Sequence, residues 1–190
     1  MNFSIQSNKK FCGEKNKFFL TFEEFFYYFW GVVGNCGENN QRKEEMFRGQ
    51  FTYSIDNKGR ISIPAKLRRQ VSPESNDTFI ITRGNATCID IYPLDEWQKF
   101  EEKLLKLNSF DPVDAKFIRM ISQFATDDTL DSQSRILIPH SLIKFAQIEK
   151  DVLILGALQK IEVWNPKFYE DYIKEVGETY EQIAAKVMSG

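Results

Sequence analysis

One stretch of this chain occurs twice. Residues 54–67, Ser-Ile-Asp-Asn-Lys-Gly-Arg-Ile-Ser-Ile-Pro-Ala-Lys-Leu, return in altered form as residues 129–142, Thr-Leu-Asp-Ser-Gln-Ser-Arg-Ile-Leu-Ile-Pro-His-Ser-Leu. A constant offset of 75 residues superposes Asp56 on Asp131, Arg60 on Arg135, Ile61 on Ile136, Ile63 on Ile138, Pro64 on Pro139 and Leu67 on Leu142. An internal repeat constrains architecture more than any other sequence feature, because each copy must be one supersecondary unit. The chain therefore carries two small units in tandem.

Each copy reads as strand, tight loop, strand and short helix. Alternation in Ile61-Ser62-Ile63 and Ile136-Leu137-Ile138 marks short strands. The prolines that follow suit a helix start, with Leu67 and Leu142 turned inward. Asn57 and Gly59 supply turn chemistry, since both tolerate positive φ. Two readings of the Asp and Arg at the loop ends stay open. They could form a charge-assisted fork that fixes the loop, or the Arg could face outward toward a ligand.

Charge favours an outward role for the first loop. Between Met46 and Gln70 lie Arg48, Lys58, Arg60, Lys66, Arg68 and Arg69 against one acid, Asp56, in a chain of net charge −2. A local basic patch with an exposed Arg and Lys is the footprint expected for phosphate or guanine contact.

Several motifs in order resemble the MraZ family of bacterial transcriptional regulators: Met46-Phe47-Arg48-Gly49, the Asp56 to Pro64 run, Ile81-Thr82-Arg83-Gly84, Ile91-Tyr92-Pro93-Leu94-Asp95-Glu96-Trp97 and the Asp131 to Pro139 run. The resemblance covers Met46 to about Tyr172. It implies an α+β fold, mainly β with helices, in which two tandem AbrB-like swapped-hairpin units form one pseudo-two-fold β-barrel flanked by helices. It also implies ring-shaped homo-oligomers that bind short direct repeats, of TGGGN type, upstream of the division and cell-wall gene cluster and of the regulator's own gene. The roles it carries over are confined to Asp56 and Arg60, Asp131 and Arg135, with Lys58 as the basic loop residue. The second copy departs from the first: Gln133 replaces Lys58 and Ser134 replaces Gly59. That loop is expected to be less basic and differently shaped, with Arg135 mostly structural.

The remainder excludes other classes. No charge-free apolar run is long enough to span a bilayer. Cys12, Cys36 and Cys88 form an odd, widely spaced set that fits a reducing compartment and offers no metal-type pairing. His140, the one histidine, follows Pro139 at a helix start and reads as a surface or capping residue. Asp56 and Asp131 could be imagined as paired carboxylates, but each is followed by an Arg that keeps it ionised, and no triad or phosphate-cradling loop accompanies them. No catalytic residue, metal or cofactor is expected.

Along the chain, residues 46–124 are read as the first unit with its helices and 125–190 as the second. Strands are expected at Thr78–Thr82 and Thr87–Tyr92, joined by a hairpin turn at Arg83-Gly84-Asn85-Ala86. Arg83 is either a phosphate contact or a solvated tip residue. Leu94, Trp97, Leu104 and Leu105 predict one amphipathic helix. Asp111-Pro112 caps another, with Phe117, Ile118, Ile121 and Phe124 on its apolar face. In the second unit, strands Val152–Leu155 and Ile161–Trp164 flank Gly156-Ala157. Asn165-Pro166 then opens one terminal helix with Phe168, Tyr172, Val176, Tyr180 and Ile183 along a face suited to its own domain or to a neighbouring subunit.

Residues 1–45 do not match this pattern. The aromatic-dense run Phe18 to Trp30 has no clean period, and Glu23 and Glu24 interrupt it in a way no signal peptide does. A membrane-anchoring amphipathic segment is the weaker reading. The stronger one is upstream DNA translated in frame. Trp30-Gly31 must be encoded TGG GGN; with GTG at Val33, TGT at Cys36 and GGG at Gly37, the word TGGGN recurs about every ten nucleotides, one turn of B-DNA. Arg42-Lys43-Glu44-Glu45 can be encoded by a purine run like a ribosome-binding site, which places the expected native start at Met46.

The expected function is sequence-specific reading of double-stranded promoter DNA by a nucleoid-associated cytoplasmic homo-oligomer. Arg60 is the expected principal reader, with Lys58, Asn57, Arg48 and Arg135 in support and Asp56, Gly59 and Asp131 shaping the loops. The alternative from another class is an oligomeric scaffold that binds acidic partners without sequence preference.

Overall fold

The computed structural model describes residues 46–175, 177 and 179–189. The 1–45 extension, with the translated-operator reading and with Cys12 and Cys36, lies outside them. In the first repeat, strand β1 (Phe47–Ser54) leads through the Asp56 loop to β2 (Arg60–Ser62) and the one-turn helix α1 (Ala65–Arg68). Strands β3 (Thr78–Arg83) and β4 (Cys88–Pro93) follow, then helices α2 (Leu94–Leu104) and α3 (Pro112–Ser122). The second repeat supplies β5 (Thr126–Thr129), β6 (Arg135–Leu137), helix α4 (His140–Phe145), β7 (Asp151–Leu158) and β8 (Lys160–Trp164), then helices α5 (Pro166–Glu175) and α6 (Tyr180–Met188).

The repeats exchange strands. Pairing is antiparallel throughout, in a six-stranded sheet of order β1-β7-β8-β4-β3-β5 and a two-stranded ribbon β2-β6. β1 of the first repeat pairs along its whole length with β7 of the second, and β5 of the second pairs with β3 of the first. β1 and β5 are the sheet edges and do not pair with each other, so the hydrogen bonding describes an open sheet plus a ribbon rather than the closed barrel expected.

Period-two alternation fills the core. Phe79 and Ile81, Ile89 and Ile91, Val152 and Ile154, and Ile161 and Val163 turn one face of the sheet inward, where Ile61 and Ile136 from the ribbon meet them. The repeated Leu67 and Leu142 are both fully buried, as the repeat predicted. The opposite face carries a polar cluster in which Asp90 and Glu162 stand directly opposite each other across β4 and β8. Like charges in that position destabilise a sheet. The Lys160 ammonium answers both, 2.7 Å from Asp90 Oδ2 and 3.0 Å from Glu162 Oε1, while Trp164 Nε1 donates to the other Glu162 oxygen at 3.0 Å. Burial pushes Asp90 up to about 6 against the pull of Lys160. Burial alone would lower Lys160, but Asp90, Tyr92 and Glu162 together hold it above the ordinary lysine value.

Three local expectations are corrected. The β7–β8 turn falls at Leu158, which adopts φ +61°, not at Gly156-Ala157. Gly156 sits inside β7, where a Cβ would stand 2.4 Å from the backbone nitrogen of Arg48 in β1, so it is there for close strand approach. The terminal helix is two helices. Gly177 turns left-handed (φ +64°) after α5, and Thr179 with Gln182 forms a reciprocal capping box that opens α6. Leu105, placed on the buried stripe of α2, is instead 84 % exposed, while Trp97 and Leu104 are buried.

Because Lys160 is the cation between two opposed carboxylates, Lys160→Met should lower the free energy of unfolding by about 3–5 kcal/mol. Asp90→Asn should cost much less, since Glu162 still pairs with Lys160 and the burial of one charge is relieved. Urea denaturation of both variants checks the ordering.

Candidate nucleic-acid interface

The two Asp-Arg loops are built by the same hydrogen bonds. Asp56 Oδ1 accepts from the backbone N–H groups of Lys58 and Arg60, both at 2.9 Å, and Asp131 Oδ1 from those of Gln133 and Arg135 at 2.8 and 2.9 Å. The second oxygen of each takes a guanidinium fork. Arg60 reaches Asp56 Oδ2 through Nε at 2.8 Å and Nη2 at 2.7 Å, and Arg135 reaches Asp131 Oδ2 through Nε at 2.9 Å and Nη2 at 2.7 Å. The fork is therefore formed in both copies.

The sequence expectation of a differently shaped second loop is overturned. Ser134 takes up the left-handed conformation of its counterpart, φ +60° against +81° for Gly59. Four hydrogen bonds to the Asp131 side chain outweigh the roughly 1–2 kcal/mol that such a conformation costs an L-residue.

The loops also lock to each other. Ile138 N–H donates to Gly59 O at 2.8 Å and Ile63 N–H to Ser134 O at 3.1 Å, either side of the β2–β6 ribbon. In that ribbon Arg60 pairs with Leu137, Ile61 with Ile136 and Ser62 with Arg135. Exchanging the repeats maps the ribbon onto itself. Ile61 and Ile136 point into the core, so Arg60, Ser62, Arg135 and Leu137 share the outer face. Arg135 Nη1 lies 3.9 Å from Asp56 Oδ2, which makes Asp56 the carboxylate common to both loops.

These contacts depress both acids. Asp56 is held at about 2, chiefly by the Arg60 backbone N–H and then its side chain; Asp131 is held at about 2, chiefly by the Arg135 side chain and then its backbone N–H.

The candidate residues separate into two groups. Asn57 and Lys58 are exposed at the first loop tip beside Arg60, with Arg135 adjoining across the ribbon. Arg48 is elsewhere. It stands six residues before Ser54 on β1, roughly 20 Å away at the usual strand rise, opposite Ala157. The Lys66 ammonium lies beside its neighbour Gly49, so the basic patch read from the sequence splits between the two ends of β1. Arg83 is half-buried with its guanidinium over the Phe145 ring at 4.6 Å and the Phe124 ring at 6.0 Å, a cation–π seat rather than a solvated tip. His140 is exposed at the start of α4. The sequence reading missed Leu137, a strand residue left 49 % exposed, and Asp128, whose Oδ2 accepts the Leu137 N–H at 2.6 Å. The signal for Leu137 was present: it breaks the alternation that Ser62 keeps in the first copy.

Among the described residues no group of three or more His, Cys, Asp or Glu could hold a metal ion, and no helix is long and apolar enough to cross a membrane.

A family model described as "MraZ protein, putative antitoxin-like" matches this chain twice, over residues 46–120 and 122–188, so each match contains one of the Asp-Arg loops. The chain belongs to the MraZ family. Similar curated MraZ proteins, each named "Transcriptional regulator MraZ", include that of Halothermothrix orenii, 40% identical over 144 residues, 74% of this chain and 95% of the relative. That of Clostridium tetani is 38% identical over 142 residues, covering 75% and 96%. That of Desulfitobacterium hafniense is 35% identical over 144 residues, covering 76% and 98%. Nearly the whole length of each MraZ relative is thus spanned.

Two measurements test the loop geometry. Because both folded-state values lie below the ordinary 3.8, the forks stabilise the fold above that pH, and this support should be lost as pH falls from about 4 through 2. Carboxyl NMR titration should place both side chains near 2; a midpoint near 4 for either means its fork is not formed in solution. Gly59→Ala should destabilise by about 1–2 kcal/mol through its left-handed φ, aggravated by Ile138 O 3.1 Å from the new methyl. Ser134→Gly should stabilise slightly, since strain relief of about 1–2 kcal/mol exceeds the roughly 0.5–1 kcal/mol entropic cost of glycine. Urea melts read both.

Proposed function

We propose that this MraZ-family chain is a sequence-specific DNA-binding transcriptional regulator that reads duplex DNA with the β2–β6 ribbon and the loops at its ends. The observation that carries the reading is the gathering of both Asp-Arg loops onto one outward surface, with Arg60, Arg135 and Lys58 presented together. A two-stranded β-ribbon fits the major groove, where a guanidinium can meet guanine O6 and N7. The fork to Asp56 positions Arg60 without using Nη1. Arg60 is the principal base reader, Lys58 and Asn57 serve the phosphates of the same site, and Arg135 is mainly a brace. Arg48 contacts DNA only where a duplex runs past the far end of β1. The targets are direct repeats of TGGGN type in the promoter of the division and cell-wall cluster, including the chain's own gene, and the site of action is the nucleoid.

A single ribbon neutralises few phosphates, so affinity requires several copies acting on linked sites. Helices α3, α5 and α6 contribute no fully buried residue, and Phe110, Val113, Tyr180 and Met188 are exposed on or beside them. Such faces suit assembly into a ring with ribbons arrayed toward successive repeats.

Arg60→Ala should abolish operator binding in a gel-shift assay while leaving the oligomer intact by size-exclusion chromatography. As Arg60→Ala also opens the Asp56 fork, Lys58→Ala provides the second arm: it should weaken binding to all duplexes alike and reduce the salt slope by about one. Unchanged affinity in both variants, or equal binding to repeat-bearing and random duplexes, overturns the reading in favour of a scaffold for acidic partners.

A further inference from the structure

We propose that Leu137 is a specificity residue that contacts the 5-methyl group of a thymine next to the base read by Arg60. The inference rests on the ribbon being the DNA-reading element. Leu137 is the direct cross-strand partner of Arg60, so the two side chains leave the same outer face, about 5 Å apart at Cβ. Side chains that start this far apart can converge on the edges of adjacent base pairs, stacked about 3.4 Å apart. A guanidinium at one position and a branched alkyl group at the next offers hydrogen bonds to a guanine edge and apolar contact to a neighbouring methyl.

An exposed leucine by itself is ordinary. This one is held in place. Its N–H donates to Asp128 Oδ2 at 2.6 Å, the next N–H, of Ile138, donates to Gly59 O at 2.8 Å, and its Cδ1 lies over the bare Cα of Gly59. The backbone is fixed from both sides while 49 % of the residue's surface faces solvent. The other half of the ribbon differs. Under the repeat's offset Leu137 corresponds to Ser62, the partner of Arg135. One arginine therefore has an alkyl neighbour and the other a hydroxyl, which makes the ribbon directional. A directional reader suits a direct repeat, whereas a symmetric one suits a palindrome.

The test uses the full chain and a duplex spanning the region upstream of its own gene, prepared once with thymine and once with deoxyuridine in its place. Deoxyuridine keeps every hydrogen-bonding group and lacks only the methyl. Wild-type protein should bind the thymine duplex at least about fourfold more tightly, the amount expected for one buried methyl, and Leu137→Met should keep that ratio. Leu137→Ala should bind both duplexes equally, near the wild-type level for the deoxyuridine duplex, with its oligomeric state unchanged. An undiminished ratio in Leu137→Ala overturns the proposal, and so does dispersal of its oligomer, which would make Leu137 a subunit contact. Failure of wild-type protein to prefer the upstream duplex over a scrambled one would overturn the regulatory reading itself, and this inference with it.

Discussion

Two half-buried carboxylates organise the repeated loops. Asp56 and Asp131 each tie two backbone N–H groups and one guanidinium to a single side chain, and Asp56 also lies within reach of Arg135. The sequence left a choice between an arginine that fixes its loop and one that faces a ligand. The geometry shows the fork formed in both copies, which fixes each loop together with the direction of its arginine. A side chain already fixed in one direction loses little freedom on meeting any ligand. Removing the acid would release both the turn and the arginine.

Legibility followed sequence distance. The repeat revealed the turns, the short strands and the buried Leu67 and Leu142, because each depends on residues within one copy. The shape of the second loop was misjudged from propensity alone: serine resists positive φ, but the Asp131 hydrogen bonds more than compensate. Gly156 was read as a turn because nothing near it in sequence discloses that β1 crosses it in register with Gly49. The Asp90, Lys160 and Glu162 cluster was equally hidden, since Asp90 lies 70 residues before Lys160 and meets the other two only through the β4–β8 pairing. The break between α5 and α6 was a different kind of miss. Thr179 and Gln182 stand at capping-box spacing, although the apolar stripe runs on through them.

The ribbon combines a symmetric backbone with asymmetric chemistry. Its hydrogen bonds exchange under the repeat, yet Lys58 faces Gln133, Gly59 faces Ser134 and Ser62 faces Leu137 across that exchange. On the adjoining edge strand, Asp127 and Asp128 of β5 occupy the positions that Thr52 and Tyr53 hold in β1. The field over the surface is accordingly polarised, cationic at the first loop and acidic beside the second. A polyanion approaching that face would be oriented before contact.

The strand exchange has a consequence for how the molecule comes into being. β1, near the start of the family-matched region, finds its partner only in β7, about a hundred residues later. On the ribosome the early strand has no template until the second repeat has emerged, and β3 waits likewise for β5 on its open side. Neither repeat can complete its share of the sheet alone. Pairings this distant in the chain are slow to form, so the nascent protein passes through a stage with open strand edges. A prematurely terminated product lacking β7 would stay at that stage, exposing a sticky edge.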